Sequence, residues 1–341
     1  MKLQVYQDLN ELDQIADAWN ELVEVCASHV PFLRYEYLRT WWEFKGGGEW
    51  ESGELYVVTA QSETGELVGV APLFFTQNMD GKKALMFLGS FEISDYLDVI
   101  VRIEDLAAFV EALLKYLIGP EAPAWEVMDL YNLLDESPTL AALKDVSENL
   151  GLRYTQETLQ PSPYVMLPDD WDSYLAGINK KQRHEIRRKI RRAESAEEGL
   201  RWYIVEDEAK LDDEIDAFLQ MMSLDHHKEE FLTDVMRSQM RAAVHTAFQA
   251  GWLQLTFLEI GGEKAAAYLN FDFDNRIWLY NSGINFDFNY YSPGWVLLAY
   301  IIQWCIENGR EALDFMRGDE VYKYRFGGID RFVLRVQLER S

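Results

Sequence analysis

Apolar residues recur every three to four positions from Leu9 to Ala27, at Leu12, Ile15, Ala16, Trp19, Leu22 and Val23. That spacing predicts an amphipathic helix, preceded by a short strand near Leu3 to Tyr6. A second helix is expected over Tyr35 to Phe44. The period then shortens, and strand-like runs at Leu55 to Ala60, Leu67 to Phe75 and Ala84 to Leu88 are separated by turns at Thr64-Gly65 and Asp80-Gly81. An extended run from Tyr96 to Val101, a helix near Asp105 to Leu117, a strand near Glu126 to Tyr131 and a helix ending by Gly151 complete the first half.

The stretch Gln160-Pro161-Ser162-Pro163 reads as a boundary, after which the order of elements repeats without the letters. Helices are expected around Trp171 to Ala196, Glu208 to Leu224 and Thr233 to Ala250. Strands follow at Trp252 to Ile260, Ala265 to Asp274 and Ile277 to Ser282, then a helix from Pro293 to Asn308 and a strand from Ala312 to Met316. Both halves thus run helices, a three-strand meander, a helix and a strand. The expected architecture is α/β with mixed, mostly antiparallel sheets flanked by helices, in two tandem domains, 1–160 and 161–341.

Composition adds constraints. A chain of 341 residues with 48% hydrophobic residues and 9 prolines has room for two cores and no signature of long disorder. A formal charge of -26 repels polyanions, so general nucleic-acid or anionic-membrane binding is disfavoured unless basic residues are concentrated locally. Cys26 and Cys305 lie in helical patterns without CxxC spacing, which argues against a disulfide framework or a zinc site and fits a reducing compartment. No metal site is expected. The opening MKLQVYQDLNELDQ turns polar too soon for a signal peptide, and the apolar run Trp295 to Ile306 is too short to span a bilayer. A cytoplasmic protein with no transmembrane segment is expected.

One segment inverts the charge. From Lys180 to Arg192, KKQRHEIRRKIRR holds eight Lys or Arg and one acid, Glu185. At helical spacing Ile186, Ile190 and Ala193 form an apolar seam, and Lys180, Arg183, Arg187 and Arg191 share a stripe without an acid. Such a stripe suits a phosphorylated ligand, a carrier protein or a transfer RNA, and equally a solvated face paired with the acidic bulk.

Two further blocks carry chemistry. Ser292-Pro293-Gly294-Trp295 opens the apolar helix, with Pro293 in the first turn, so backbone N–H groups and the positive end of the helix dipole make a candidate phosphate site. Downstream, six ionisable or phenolic side chains follow Met316 within eight residues, in RGDEVYKY. A strand end beside an anion-binding helix is where open sheets place ligands.

The Arg- and Lys-rich helix, SPGWVLLAYIIQWCIENG and above all DFMRGDEVYKYRFG resemble the acetyltransferase family named for cellulose biosynthesis, the CelD/BcsL-type branch of the GNAT superfamily. LVGVAPLFF and SDYLDVIV extend the resemblance more weakly into the first half. The last block is similar to that family's Asp-Phe-x-Arg-Gly-x-Glu-x-Tyr-Lys pattern. The resemblance implies two GNAT-like domains, the first degenerate, and transfer of an acyl group from acetyl-CoA or another acyl thioester to an amine or hydroxyl acceptor. A small molecule or a cell-envelope or polysaccharide precursor is the acceptor class it suggests.

Against that chemistry, Glu320, with Asp319 behind it, is the expected general base, and Tyr322 or Tyr280 the proton donor to the leaving thiolate. Arg317 or the strand edge at Asn281 to Gly283 would stabilise the oxyanion. Ser292, Pro293, Gly294 and Trp295, with Lys180, Arg183 and Arg187, are the candidate donor-binding residues. Asp95, Tyr96, Tyr280, Asp314 and Lys323 are the candidate substrate contacts. The helix entry NYYSPG has only the final glycine of the Gln- or Arg-x-x-Gly-x-Gly or -Ala signature of many acetyl-CoA-binding relatives, which leaves the donor open. A Fem-like transferase using aminoacyl-tRNA, a transferase using an acyl-carrier protein, and a non-catalytic binding protein of the same fold remain alternatives.

Overall fold

The computed structural model describes residues 1–340. The chain divides into two compact units: Met1–Gln160 together with the segment from Arg331 onward, and Pro161–Asp330. Each is built on mostly antiparallel sheet flanked by helices.

In the first unit, strands Lys2–Tyr6, Val57–Gln61, Leu67–Ala71 and Ile100–Val101 make one antiparallel sheet. A six-stranded sheet contains Leu73–Gln77, Lys83–Phe87, Val127–Leu134 and, unexpectedly, the last strand of the chain, Phe332–Arg340. The sequence reading includes these residues in the second domain and expects no strand there. The strand pairs instead with Val127–Leu134, from Val333 opposite Leu134 to Glu339 opposite Val127. A two-pronged ion pair pins it there, with Arg335 Nε 2.7 Å from Asp129 Oδ1 and Nη2 2.8 Å from Oδ2. Asp129 is fully buried, so the pair fixes the strand's register.

The second unit is one six-stranded sheet. Its elements are β1 (Tyr164–Met166), α1 (Trp171–Gly177), α2 (Lys180–Glu194), β2 (Leu200–Ile204), α3 (Leu211–Met222), α4 (His226–Phe231), α5 (Asp234–Gln249), β3 (Leu253–Ile260), β4 (Glu263–Phe273), β5 (Arg276–Ile284), α6 (Pro293–Glu307), β6 (Ala312–Asp314) and α7 (Val321–Arg325). The strand order is β1-β6-β5-β4-β3-β2. Strands β3 to β5 are the expected meander, turning at Gly261-Gly262 and at Asp274-Asn275, where all four residues take positive φ. Strand β6 then joins β5 in parallel through α6, which is apolar nearly all round and buries Val296, Leu297, Ile301, Ile302 and Cys305.

The single helix expected from Trp171 to Ala196 is two. Asn179 interrupts it and caps α2, its Oδ1 accepting from Lys181 N at 2.9 Å. Helix α4 was not expected at all.

Two irregularities shape the sheet. Leu269 pairs with Asn281 but Asn270 with Leu279, so Tyr280 is an extra residue in β5, a bulge. A bulge reverses the alternation of faces. Ile277 and Leu279 before it, and Ser282 and Ile284 after it, therefore lie on the face covered by α6. The second irregularity is a splay. Strand β6 pairs with β5 only from Arg276/Ala312 to Trp278/Asp314, while β5 runs on to Ile284. Beyond Asp314 the chain bonds the other way, Phe315 N to Pro163 O and Gly318 N to Pro161 O, both at 2.9 Å. The edge of β5 from Leu279 onward thus has no strand partner on that side among the described residues.

Candidate functional site

Where the two parallel strands part, a cavity of about 320 Å³ opens over β5 and the start of α6, lined among others by Ser282, Ile284, Tyr268, Tyr322 and Lys189. Its walls follow from the irregularities just described. Tyr268 on β4 faces Ser282 directly across the strands, and its hydroxyl reaches the Gly294 carbonyl at 3.4 Å. Tyr322, on α7, closes the other side. Burial first, then the neighbouring Tyr268 and Glu320, push the Tyr322 phenol well above its ordinary pKa, so it stays a protonated donor.

All four residues Ser292, Pro293, Gly294 and Trp295 line the cavity. Ser292 adopts a left-handed conformation (φ 54°) and makes no side-chain cap. Its amide is bonded to Asn289 O, and the Trp295 and Val296 amides to Ser292 O, which leaves the Gly294 amide as the helix-start donor not used in this turn. A Cβ at Gly294 would sit 2.6 Å from Ile284 Cδ1, so a larger residue there must displace the tip of that side chain at the cavity wall.

The basic helix serves this spot, but not through the expected stripe. Arg192 Nη2 donates to Ser292 Oγ at 2.8 Å and its guanidinium lies over the Tyr290 ring, while its buried Nε has no partner among the described residues. Lys189 Nζ sits 3.7 Å from the centre of the Trp295 ring, and burial lowers its pKa despite Glu185. By contrast, Arg183 bonds the Leu175 carbonyl, Arg187 pairs with the exposed Asp172, and Lys180 is exposed at the helix start. None of these three lines the cavity. The α6 start lies on the opposite flank of the apolar seam.

The block Asp314 to Lys323 divides into builders and exposed groups. Asp314 is fully buried, accepts from Met316 N at 2.9 Å and pairs with Arg276 at 3.5 Å, so it holds the left-handed turn at Met316 (φ 62°) and is not a substrate contact. Lys323 is also buried, and is not a substrate contact either. Its Nζ donates to the carbonyls of Met316, Arg317 and Gly318 at 3.1, 2.6 and 3.3 Å and pairs with Glu320 at 2.8 Å. These bonds tie down the loop that departs from β5. Glu320 is 58% exposed, and Asp319 is exposed beside it. Arg317 is half-buried in the same loop.

Tyr280, the bulged residue, stacks on Phe271 at 5.0 Å and lies outside the cavity lining. In the first unit Tyr96 is buried in the core and Asp95 is half-buried beside it; the burial of Tyr96 removes it as a ligand contact.

Lys228 is a residue the sequence reading missed. It projects from α4, and its Nζ lies 2.9 Å from Asn281 Oδ1, 2.6 Å from Ser282 O and 3.3 Å from Ser282 Oγ. Burial lowers its pKa, against the pull of Asp225 and Glu320. The signal available in the sequence was one lysine in an otherwise acidic turn, DHHKEEF.

A mixed sheet with a bulged strand, a parallel neighbour that splays from it and a helix start beside the cavity defines the class: an α/β protein with mostly antiparallel sheet. Residues 180–324 match the family described as acetyltransferase (GNAT) domain, so the second unit carries a GNAT-type domain. No curated protein sequence matches the chain. Among solved structures, FemX is similar over 98% of this chain and 97% of its own, with a TM-score of 0.65 and 11% identity. A conserved protein of unknown function from Bacteroides thetaiotaomicron aligns over 99% and 100%, with a TM-score of 0.63 and 12% identity. L-PGS from Bacillus licheniformis aligns over 95% and 91%, with a TM-score of 0.56 and 13% identity. At these identities the shared property is the fold, and it extends over both units. Among the described residues no helix is long and apolar enough to cross a membrane, and no group of His, Cys, Asp or Glu is arranged to hold a metal ion.

Proposed function

We propose that the chain is an N-acyltransferase whose second unit binds a phosphate-bearing acyl thioester, of which acetyl-CoA is the simplest, and transfers its acyl group to an amine. The observation that carries the reading is the convergence of Lys189, Arg192 and the unused Gly294 amide on the start of α6, where they line or border the cavity. Two cations and a helix start suit a diphosphate. The cavity then receives the thioester, and Tyr322, which lines it and stays protonated, gives the departing thiolate its proton.

The acceptor class that the family resemblance suggests, a cell-envelope or polysaccharide precursor, is kept as part of the proposal, with the cytoplasm as its place of action. Catalysis is assigned in this proposal to residues 161–330, the unit that holds the cavity, because the first half of the sequence has no Ser-Pro-Gly-like helix entry. Incubation of the protein with acetyl-CoA and a panel of amino sugars, amino acids and polyamines, read as thiol release, tests the reading. Acceptor-dependent release is expected, and no release alongside no binding of any CoA thioester refutes it.

A second reading rests on the outward face of α2. Lys180, Lys181, Arg187, Arg188 and Arg191 are all exposed there, with Arg187 paired to Asp172 and Arg188 to Glu185. Such a face suits a donor delivered by an acidic carrier protein or by a charged tRNA. Binding of the donor only in its carrier-linked form, lost on raising the salt, would favour it.

A further inference from the structure

An amine attacking a thioester must lose a proton, and the exposed Glu320, engaged by Lys323, is poorly placed to take it from inside the cavity. The cavity floor holds another polar group. Ser282 Oγ lines it, opposite Tyr268, because the bulge at Tyr280 turns Ser282 to that face. Behind Ser282 stands Lys228.

We propose that Lys228 is the terminal proton acceptor of the acyl transfer, working through the hydroxyl of Ser282, which it contacts at 3.3 Å. The inference rests on the acyltransferase reading above and assigns it a base. Lys228 does not itself line the cavity, so it acts through Ser282.

The contacts of Nζ suit both protonation states. A neutral amine has two N–H groups and one lone pair. The two donors match Asn281 Oδ1 and Ser282 O, at 2.9 and 2.6 Å, and the lone pair matches the Ser282 hydroxyl. On taking a proton, the ammonium can donate to all three oxygens without any group moving. Asn281 Oδ1 is fixed in turn by accepting from Ser282 N at 2.9 Å. The charged groups that bear on Lys228 are Asp225 at the cap of α4 and Glu320 before α7, and both favour the ammonium. Burial opposes them and prevails, lowering the pKa of the amine and so favouring its neutral form.

The step balances. The amine nitrogen bonds to the thioester carbonyl carbon and the C–S bond breaks. The amine proton passes to Ser282 Oγ as the hydroxyl proton of Ser282 passes to Lys228 Nζ, which releases it to water. The thiolate takes a proton from Tyr322, whose hydroxyl water restores.

The test uses the full chain with acetyl-CoA as donor and hydroxylamine as a small amine acceptor, following against pH the protein-dependent thiol release, that is, release in excess of the spontaneous reaction of hydroxylamine with the thioester. Acetyl-CoA affinity is measured in parallel by calorimetry. Wild type should show a rate that rises with pH and levels off below the ordinary lysine range. Lys228→Arg keeps the positive charge and its donors but cannot give up a proton. It should bind acetyl-CoA within about 2-fold of wild type yet lose ~10²-fold in kcat together with the rising limb. Ser282→Ala should lose as much, and it carries the test alone if the arginine variant does not fold. Lys228→Arg turning over at the wild-type rate overturns the proposal, because a merely structural cation would be replaced by arginine. Acetyl-CoA binding with no thiol release by wild type at any pH also overturns the relay while leaving the donor site standing. No acetyl-CoA binding at all refutes the underlying reading instead.

Discussion

Arg192 reaches across 100 residues of sequence to donate to Ser292 Oγ at 2.8 Å. That bond takes the hydroxyl that would ordinarily cap α6 and sets a guanidinium where the helix begins. A serine held in this way leaves the Gly294 amide open and brings a fixed positive charge to it. The donor site proposed above is centred on this contact.

Gly283 and Gly294 are both sterically constrained, with different consequences. A Cβ at Gly283 would lie 2.8 Å from Met221 Cβ and 2.9 Å from the Met222 backbone nitrogen, where β5 touches the end of α3. Gly283→Ala should therefore destabilise the protein by about 1–3 kcal/mol, read as a lower urea midpoint. At Gly294 the obstacle is the movable tip of Ile284, so Gly294→Ala should fold normally but bind the donor more weakly.

Tyr322 should serve as a hydrogen donor without titrating. Its phenol lies far above neutral, so no acidic or neutral limb of the pH–rate profile belongs to it. Tyr322→Phe is expected to lower kcat about 10- to 100-fold with donor affinity unchanged. A loss confined to KM would show that the hydroxyl only binds.

The C-terminal strand should stabilise the first unit. Asp129→Ala removes the buried partner of Arg335 and leaves it only the exposed Asp80 and Glu157, which should cost about 1–3 kcal/mol. Hydrogen exchange should then rise in Val127–Leu134 and in Phe332–Arg340, with the second unit unchanged. Equal loosening of β3 to β5 would contradict the assignment of this strand to the first unit.

Asp98 gives the first unit a signature in pH. It is buried, and burial raises its pKa even though Ser28, Ser137 and the Val99 amide donate to it. A carboxyl raised in the folded state contributes stability that is whole below the unfolded pKa and declines as pH climbs through the folded value. Asp98→Asn should flatten the fall in melting temperature above pH ~4, the ordinary carboxylate value. An unchanged slope would assign the decline to other groups.

Much of the second unit was legible in the sequence because its signals are local. The meander carries paired turn residues, and α6 has Pro293 at its start and an apolar run long enough to be a helix. The basic segment was visible too, but its periodicity could not say which flank of the seam met α6. Arg183 and Arg187 lie on one flank, Lys189 and Arg192 on the other, and only tertiary packing chooses between them. Helix α4 is six residues long, below the length at which spacing is informative, so Lys228 went unnoticed. The bulge at Tyr280 reverses the face of every later residue in β5, so the sequence, which named Tyr280 by its side chain and Ser282 only within the strand edge Asn281 to Gly283, could not show that the Ser282 side chain faces the cavity. In the block from Asp314 to Lys323 the sequence marks the right place. It could not separate Asp314 and Lys323, which build the loop, from the groups the loop exposes, because burial is not written in residue type.

The central claim is that Lys189 and Arg192 hold the phosphates of an acyl donor at the start of α6. Calorimetric titration of acetyl-CoA into wild type and into Arg192→Ala tests it most directly. Saturable one-to-one binding is expected for wild type, weakened at least 10-fold in the variant, while 4′-phosphopantetheine, which lacks the diphosphate, loses less. Wild-type binding that is indifferent to Arg192, or no binding at all, would contradict the account.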